Sequence, residues 1–130
     1  MPTLFTRIIN REIPGRFVYE DDLAVAFLSI APVTPGHALV VPRAELDQWT
    51  DAPAGLLQHL TGVAQRVGVG AKAAFGAPRA GVLIAGMEVP HLHIHVFPAW
   101  TMADFDITGA RQASDEDLAA AHAKLAAALA

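Results

Sequence analysis

Apolar and polar positions recur along this chain with two periods, and the changes of period mark its elements. Phe5, Ile8 and Ile9 fall at i, i+3 and i+4, which predicts a short amphipathic helix over residues 3–10, stopped by Pro14 and Gly15. RFVYE (16–20) and LAVAFLSI (23–30) flank Asp21 and Asp22, residues that tolerate turn geometry, so a hairpin is expected there. APVTPGH (31–37) has the composition of a loop, and ALVV (38–41) reads as a strand closed by Pro42. Leu56, Leu60, Val63 and Val67 recur every three or four residues, predicting a long helix that begins near Pro53, with Gly68 and Gly70 weakening its end. APRAG (77–81) reads as a connection into a strand at 82–85, and a last strand is expected from His91 to Phe97. Ser114, three residues before Asp117, resembles a capping box, and Leu118, His122, Leu125 and Leu129 predict a helical face in the alanine-rich tail.

Strands gathered before and after one long helix, without strict alternation, indicate an α+β fold with a mainly antiparallel sheet. At 130 residues, with no repeat or linker, residues 1–130 are expected to form one domain. Hydrophobic residues make up 53% of the chain and charged residues 17%, enough apolar material for a core and too much for a disordered chain. The formal charge of −4, with no basic stripe, argues against a nucleic-acid partner. Cysteine is absent, which excludes a disulfide framework, a thiolate zinc site and a cysteine nucleophile. Arg7, Arg11 and Glu12 interrupt the apolar content of the N-terminal segment; neither a signal peptide nor a membrane span is expected, and a cytoplasmic location is the simplest reading.

The chemistry concentrates in His91-Leu92-His93-Ile94-His95-Val96-Phe97. In a strand, alternate side chains share a face, so the three imidazoles point one way while Leu92, Ile94 and Val96 anchor the other side in the core. Imidazoles so close cannot all carry charge, and their pKa values are expected to be driven apart or downward, leaving a neutral nitrogen near pH 7. Such a nitrogen is a nucleophile, a base or a metal ligand; as a metal site the triad would need a further ligand from elsewhere. His59 and His122 read as surface or boundary residues, and Trp49 and Trp100 as edge packing.

The alternating HLHIHVF motif, with PGH upstream at 35–37, resembles the histidine triad (HIT) family of nucleotide-binding proteins. The resemblance extends over EIPGRFVYEDDLAVAFLSIAPVTPGHALVVP, residues 12–42, and is strongest over 5–98; residues 99–130 are a tail with a helix. It implies a five-stranded antiparallel sheet with one long helix and short or C-terminal helices, and a homodimer without cofactor. It also implies hydrolysis or transfer of a nucleoside monophosphate, purine by preference, as in a nucleoside phosphoramidase or dinucleoside polyphosphate hydrolase. By the motif, His93 is the nucleophile that carries the nucleotidyl group, His95 contacts the phosphate and assists the leaving group, and His91 and His37 orient the cluster. Ile13, Phe27, Leu28 and Ile30 match positions that enclose base and ribose, and Gly86 a glycine beside the phosphate. Ser29 stands where the family usually has Asp or Asn on the ribose hydroxyls, and Met87 where Gln is common. Thr3, Thr6 and Glu45 replace the ligands of zinc-bearing relatives, which points to the Hint-like branch without a structural zinc. A nucleotide-binding module with little turnover, and a metal-binding protein using the triad, are the other readings.

Overall fold

A computed structural model describes residues 1–130. Its elements are α1 (Leu4–Ile9), β1 (Phe17–Glu20), β2 (Ala24–Leu28), β3 (Ala38–Pro42), α2 (Ala54–Phe75), β4 (Arg79–Leu83), β5 (Ile94–Ala99) and α3 (Asp115–Leu129), with single 3-10 turns at Trp49–Asp51, Met102–Phe105 and Ile107–Gly109. One five-stranded sheet runs β1-β2-β3-β5-β4, antiparallel at every pairing. The α+β expectation holds, and no helix is long and apolar enough to cross a membrane.

Strand alternation sorts side chains into two layers. Ala24, Ala26 and Leu28 of β2, Ala38 and Val40 of β3, and Ile94 and Val96 of β5 pack with Leu60, Val63 and Val67 of α2 and Leu125 of α3. On the other face Val25, Phe27, Leu39 and Val41 pack with Phe5, Ile8 and Ile9 of α1. Both faces of β2 and β3 are therefore buried, which is why these strands are apolar throughout rather than alternating.

The hairpin turn is built by Asp21. Its Oδ1 accepts the Leu23 and Ala24 amides, both at 2.8 Å, while Oδ2 accepts from the Tyr19 hydroxyl and His59 Nε2, both at 2.7 Å. Burial would raise this carboxyl, but the hydrogen bonds outweigh it and hold the pKa down to about 2. His59, read from sequence as a surface or boundary residue, thus ties α2 to the turn. His122 has a comparable part, donating through Nε2 to the Phe17 carbonyl at 2.8 Å and linking α3 to β1.

Three expectations need correction, and the face expected of α3 gains Ala121. Gly68 and Gly70 do not weaken the helix end, since α2 continues to Phe75. They are close-approach positions: a Cβ on Gly68 would stand 3.2 Å from Ala80 Cβ, and one on Gly70 2.6 Å from Leu129 Cδ2. The fourth strand is Arg79–Leu83 rather than 82–85, because pairing from Arg79↔Ala99 to Leu83↔His95 draws the presumed connection into the sheet. In α3 Leu118, Ala121 and Leu125 are fully buried, and the expected face is completed by half-buried Leu129, packed on the core, and half-buried His122, on the Phe17 carbonyl. The last strand spans Ile94–Ala99 rather than 91–97; β3 pairs with β5 only from Ile94 onward, and the Leu92 amide turns to the Leu46 carbonyl at 2.6 Å.

Candidate active site

His91 and His93 therefore precede the regular strand, yet the division of faces expected from their spacing persists. Leu92, Ile94 and Val96 enter the helix-side core. The rings of His93 and His95 lie 5.0 Å apart, and His37, the residue before β3, brings its ring 5.1 Å from His95. All four histidines are buried, His91 at 0%, His37 at 2%, His93 at 6% and His95 at 8% exposure, so each ring nitrogen needs a partner or an opening.

Main-chain groups decide where the protons sit, because an amide can only donate and a carbonyl can only accept. The Val33 amide donates to His37 Nδ1 at 3.1 Å, so the proton of neutral His37 is on Nε2. That Nε2–H is donated to His95 Nδ1 at 2.9 Å, which places the proton of neutral His95 on its own Nε2. His91 donates Nε2–H to the Pro42 carbonyl at 2.8 Å and His93 donates Nδ1–H to the His91 carbonyl at 2.7 Å. The neutral cluster thus presents a lone pair on His93 Nε2 and an N–H on His95 Nε2.

Burial favours the neutral form of His37, His95 and His91. It pushes His37 down to about 3 and His95 down to about 4, with repulsion from neighbouring imidazolium adding to both, and it also lowers His91 despite the Pro42 carbonyl and Glu45. The sequence expectation of downward shifts in a crowded cluster holds for these three. No group of three or more His, Cys, Asp or Glu side chains is arranged to hold a metal ion.

The remaining sequence candidates separate. Phe27 meets Phe5 edge-to-face at 5.6 Å, and Phe5 in turn meets His93 edge-to-face at 4.9 Å, so Phe27 belongs to the wall beside the triad. Ile13 packs half-buried on the same cluster. Leu28 turns to the opposite layer, among the helix-side core residues. Ser29 is half-buried; its Oγ accepts the Ala31 amide at 3.2 Å, and it lines a cavity of about 470 Å³ with Leu28, His37, Phe75 and residues of α3. Ile30 is 61% exposed. Gly86 has φ 69° with open space where a Cβ would point, so its backbone conformation, rather than crowding, calls for glycine. Trp49 and Trp100 are half-exposed.

Sequence reasoning missed Phe5 and Thr3 as parts of the site. Phe5 reads as the buried face of α1, and Thr3 as a position vacated by zinc ligands, yet Phe5 edges both His91 and His93 and Thr3 Oγ1 lies 2.6 Å from His91 Nδ1. Nothing local marks either residue, because the contact spans most of the chain.

Comparison with known proteins shows the family and the fold. The family model described as "HIT domain" matches residues 10–102. An uncharacterized HIT-like protein of Methanocaldococcus jannaschii is 38% identical over 101 residues, covering 75% of this chain and 78% of that protein. The purine nucleoside phosphoramidase of Escherichia coli is 35% identical over 103 residues, covering 72% of this chain and 84% of that one. A crystal structure of a HIT-like protein involved in cell-cycle regulation from Bartonella henselae superposes with a TM-score of 0.83 at 31% identity, covering 98% of this chain and 96% of that chain. With the family model spanning most of the sequence, and four buried imidazoles gathered where its motif lies, this chain belongs to the HIT domain family.

Proposed function

We propose that this HIT protein cleaves a nucleoside monophosphate, purine by preference, from a small leaving group through a covalent nucleotide on His93. The observation that carries the reading is the 2.7 Å hydrogen bond from His93 Nδ1–H to the His91 carbonyl, which leaves Nε2 as the lone pair beside the Nε2–H of His95. His93 Nε2 attacks the α-phosphorus as the bond from phosphorus to the leaving group breaks; His95 Nε2–H donates a hydrogen bond to the departing atom, which takes its proton from water. Water then attacks phosphorus, the phosphorus–nitrogen bond breaks, and the proton released from the attacking water replaces the one taken up with the leaving group. His37 and His91 hold the two reacting rings in the required tautomers. Phe27 and Ile13, with Phe5, supply an apolar wall for base and ribose beside the triad, Ser29 and Ile30 border the ribose, and Gly86 lies by the phosphate; Leu28 contributes through the backbone it shares with them. The similarity to a purine nucleoside phosphoramidase supports the nucleotide class.

The homodimer belongs to the same reading. The outer edge of β4 is unpaired, and Val82 on it is 55% exposed, so a second copy could cover it.

The test is turnover of a fluorogenic adenosine phosphoramidate by the wild type and by His93→Ala. The variant should be inactive while still binding AMP, and quenched wild-type reactions should carry one adenylyl group on His93. Substantial turnover by His93→Ala would overturn the reading. AMP binding with no turnover in the wild type would favour a nucleotide-binding module instead.

A further inference from the structure

The N-terminal turn reaches the triad through one hydroxyl. Thr3 caps α1, its Oγ1 accepting the Thr6 amide at 3.1 Å, and the same oxygen lies 2.6 Å from His91 Nδ1. His91 Nε2–H is already donated to the Pro42 carbonyl, so Nδ1 of the neutral ring is an acceptor and the Thr3 hydroxyl must be the donor. Glu45 holds Thr3 in place, its Oε1 accepting the Thr3 amide at 2.8 Å, and Thr6 Oγ1 stands 3.2 Å from the Thr3 hydroxyl, which has one proton and gives it to the nearer His91 Nδ1. Thr3 is half-buried, whereas His91 has no exposed surface, so a lost donor leaves its Nδ1 buried.

We propose that Thr3 is a positioning residue for the nucleophile, acting through His91; this rests on the reading of His93 as the attacking group. The two ring bonds of His91, to Thr3 and to Pro42, together with its amide bond to the Val89 carbonyl at 2.8 Å, hold the residue whose carbonyl receives His93 Nδ1–H. Remove the hydroxyl proton and His91 Nδ1 is buried without a donor. The ring then either turns, dragging the peptide that anchors His93, or takes up a proton and places a cation beside the nucleophile. Both outcomes spoil the attacking geometry or the lone pair on His93 without touching the wall around base and ribose. Of the side chains that cap a helix, only those with a hydroxyl combine that acceptor with a single rotatable proton, so serine should substitute and aspartate should not.

The experiment compares Thr3→Ser, Thr3→Asp and Thr3→Val in the full chain. Aspartate keeps the helix cap but offers no proton to His91, which separates positioning from folding; valine removes both roles. Thr3→Ser should retain kcat on the fluorogenic adenosine phosphoramidate, and Thr3→Asp should lose about tenfold in kcat with AMP affinity unchanged within about twofold, the pattern of a misplaced reacting group rather than a lost binding contact. ¹⁵N NMR of the imidazoles should find His91 as the neutral Nε2–H form in wild type and Thr3→Ser, and doubly protonated near neutral pH in Thr3→Asp. Equal kcat in the serine and aspartate variants, or an unchanged His91 spectrum in Thr3→Asp, overturns the proposal. Should Thr3→Asp fail to fold, wild-type kcat in Thr3→Val would overturn it equally. Activity surviving in His93→Ala would overturn the nucleophile instead, and the His91 spectrum would still report whether Thr3 sets its proton.

Discussion

Gly36 holds φ at 96°, and the ring of Phe75, at the end of α2, occupies the space where a Cβ on Gly36 would stand. The glycine of the PGH segment is therefore required twice, by its backbone conformation and by close packing, and the next residue along the chain is His37. Gly36→Ala should destabilise the protein by about 2 to 4 kcal/mol, the sum of left-handed strain and overpacking against the Phe75 ring. It should also lower kcat, because the loop that yields is the one presenting His37 to His95. Chemical denaturation and turnover of the same variant check this; a stable, fully active variant would contradict it.

His37 sets the proton on His95, so its removal should affect chemistry more than binding. In His37→Phe the His95 Nδ1 loses its donor and the Nε2–H form loses its preference, leaving both tautomers populated. A fall of about 10- to 100-fold in kcat is expected, with AMP affinity little changed, since the hydrogen bond from His95 Nε2–H to the leaving group is what is lost. Calorimetric titration of AMP beside steady-state kinetics separates the two quantities.

The depressed imidazoles make stability depend on pH with a definite sign. His37 and His95 titrate at about 3 and about 4 in the folded chain against an ordinary value of 6.5, so between these limits the unfolded chain binds more protons. Their contribution is whole above about pH 6.5 and is lost as pH falls, each group adding a slope of about 1.4 kcal/mol per pH unit. Asp21, held down to about 2 from an ordinary 3.8, adds a further loss in the same direction at lower pH. Melting temperature should therefore fall continuously from pH 6.5 to 4 in the wild type and less steeply in His37→Phe. A flat profile over that range would show that the rings are not kept neutral by burial.

Ser29 bears on discrimination between ribose and deoxyribose. Its Oγ is engaged by the Ala31 amide, and a carboxylate there could keep that bond and still accept from ribose hydroxyls. Charge-assisted bonds exceed neutral ones by about 1 to 2 kcal/mol, so Ser29→Asp should tighten AMP roughly five- to tenfold and dAMP less. Calorimetry finding equal tightening of both, or weaker AMP binding, would place the ribose away from residue 29.

Much of this molecule is written locally. The apolar runs of β2 and β3, the three- and four-residue spacing on α2, and the Ser114 cap whose Oγ accepts the Asp117 amide at 3.1 Å are decided by periodicity and side-chain chemistry within a few residues. So is the division of Leu92, Ile94 and Val96 from the imidazoles, because in extended chain the period of two requires no partner strand. Tertiary structure decided what depends on a distant group. Strand β4 begins at Arg79 because Ala99 is there to pair with it, and Gly68 and Gly70 stay helical because Ala80 and Leu129 pack where their side chains would be. Above all, the protonation pattern of the site is tertiary: Val33, Pro42 and Thr3 fix the ring nitrogens, and two of these contacts join residues 49 and 88 positions apart. A hydrogen bond has direction as well as reach, and the sequence, which records that four imidazoles are present, carries no record of which nitrogen faces a donor until the chain has folded around them.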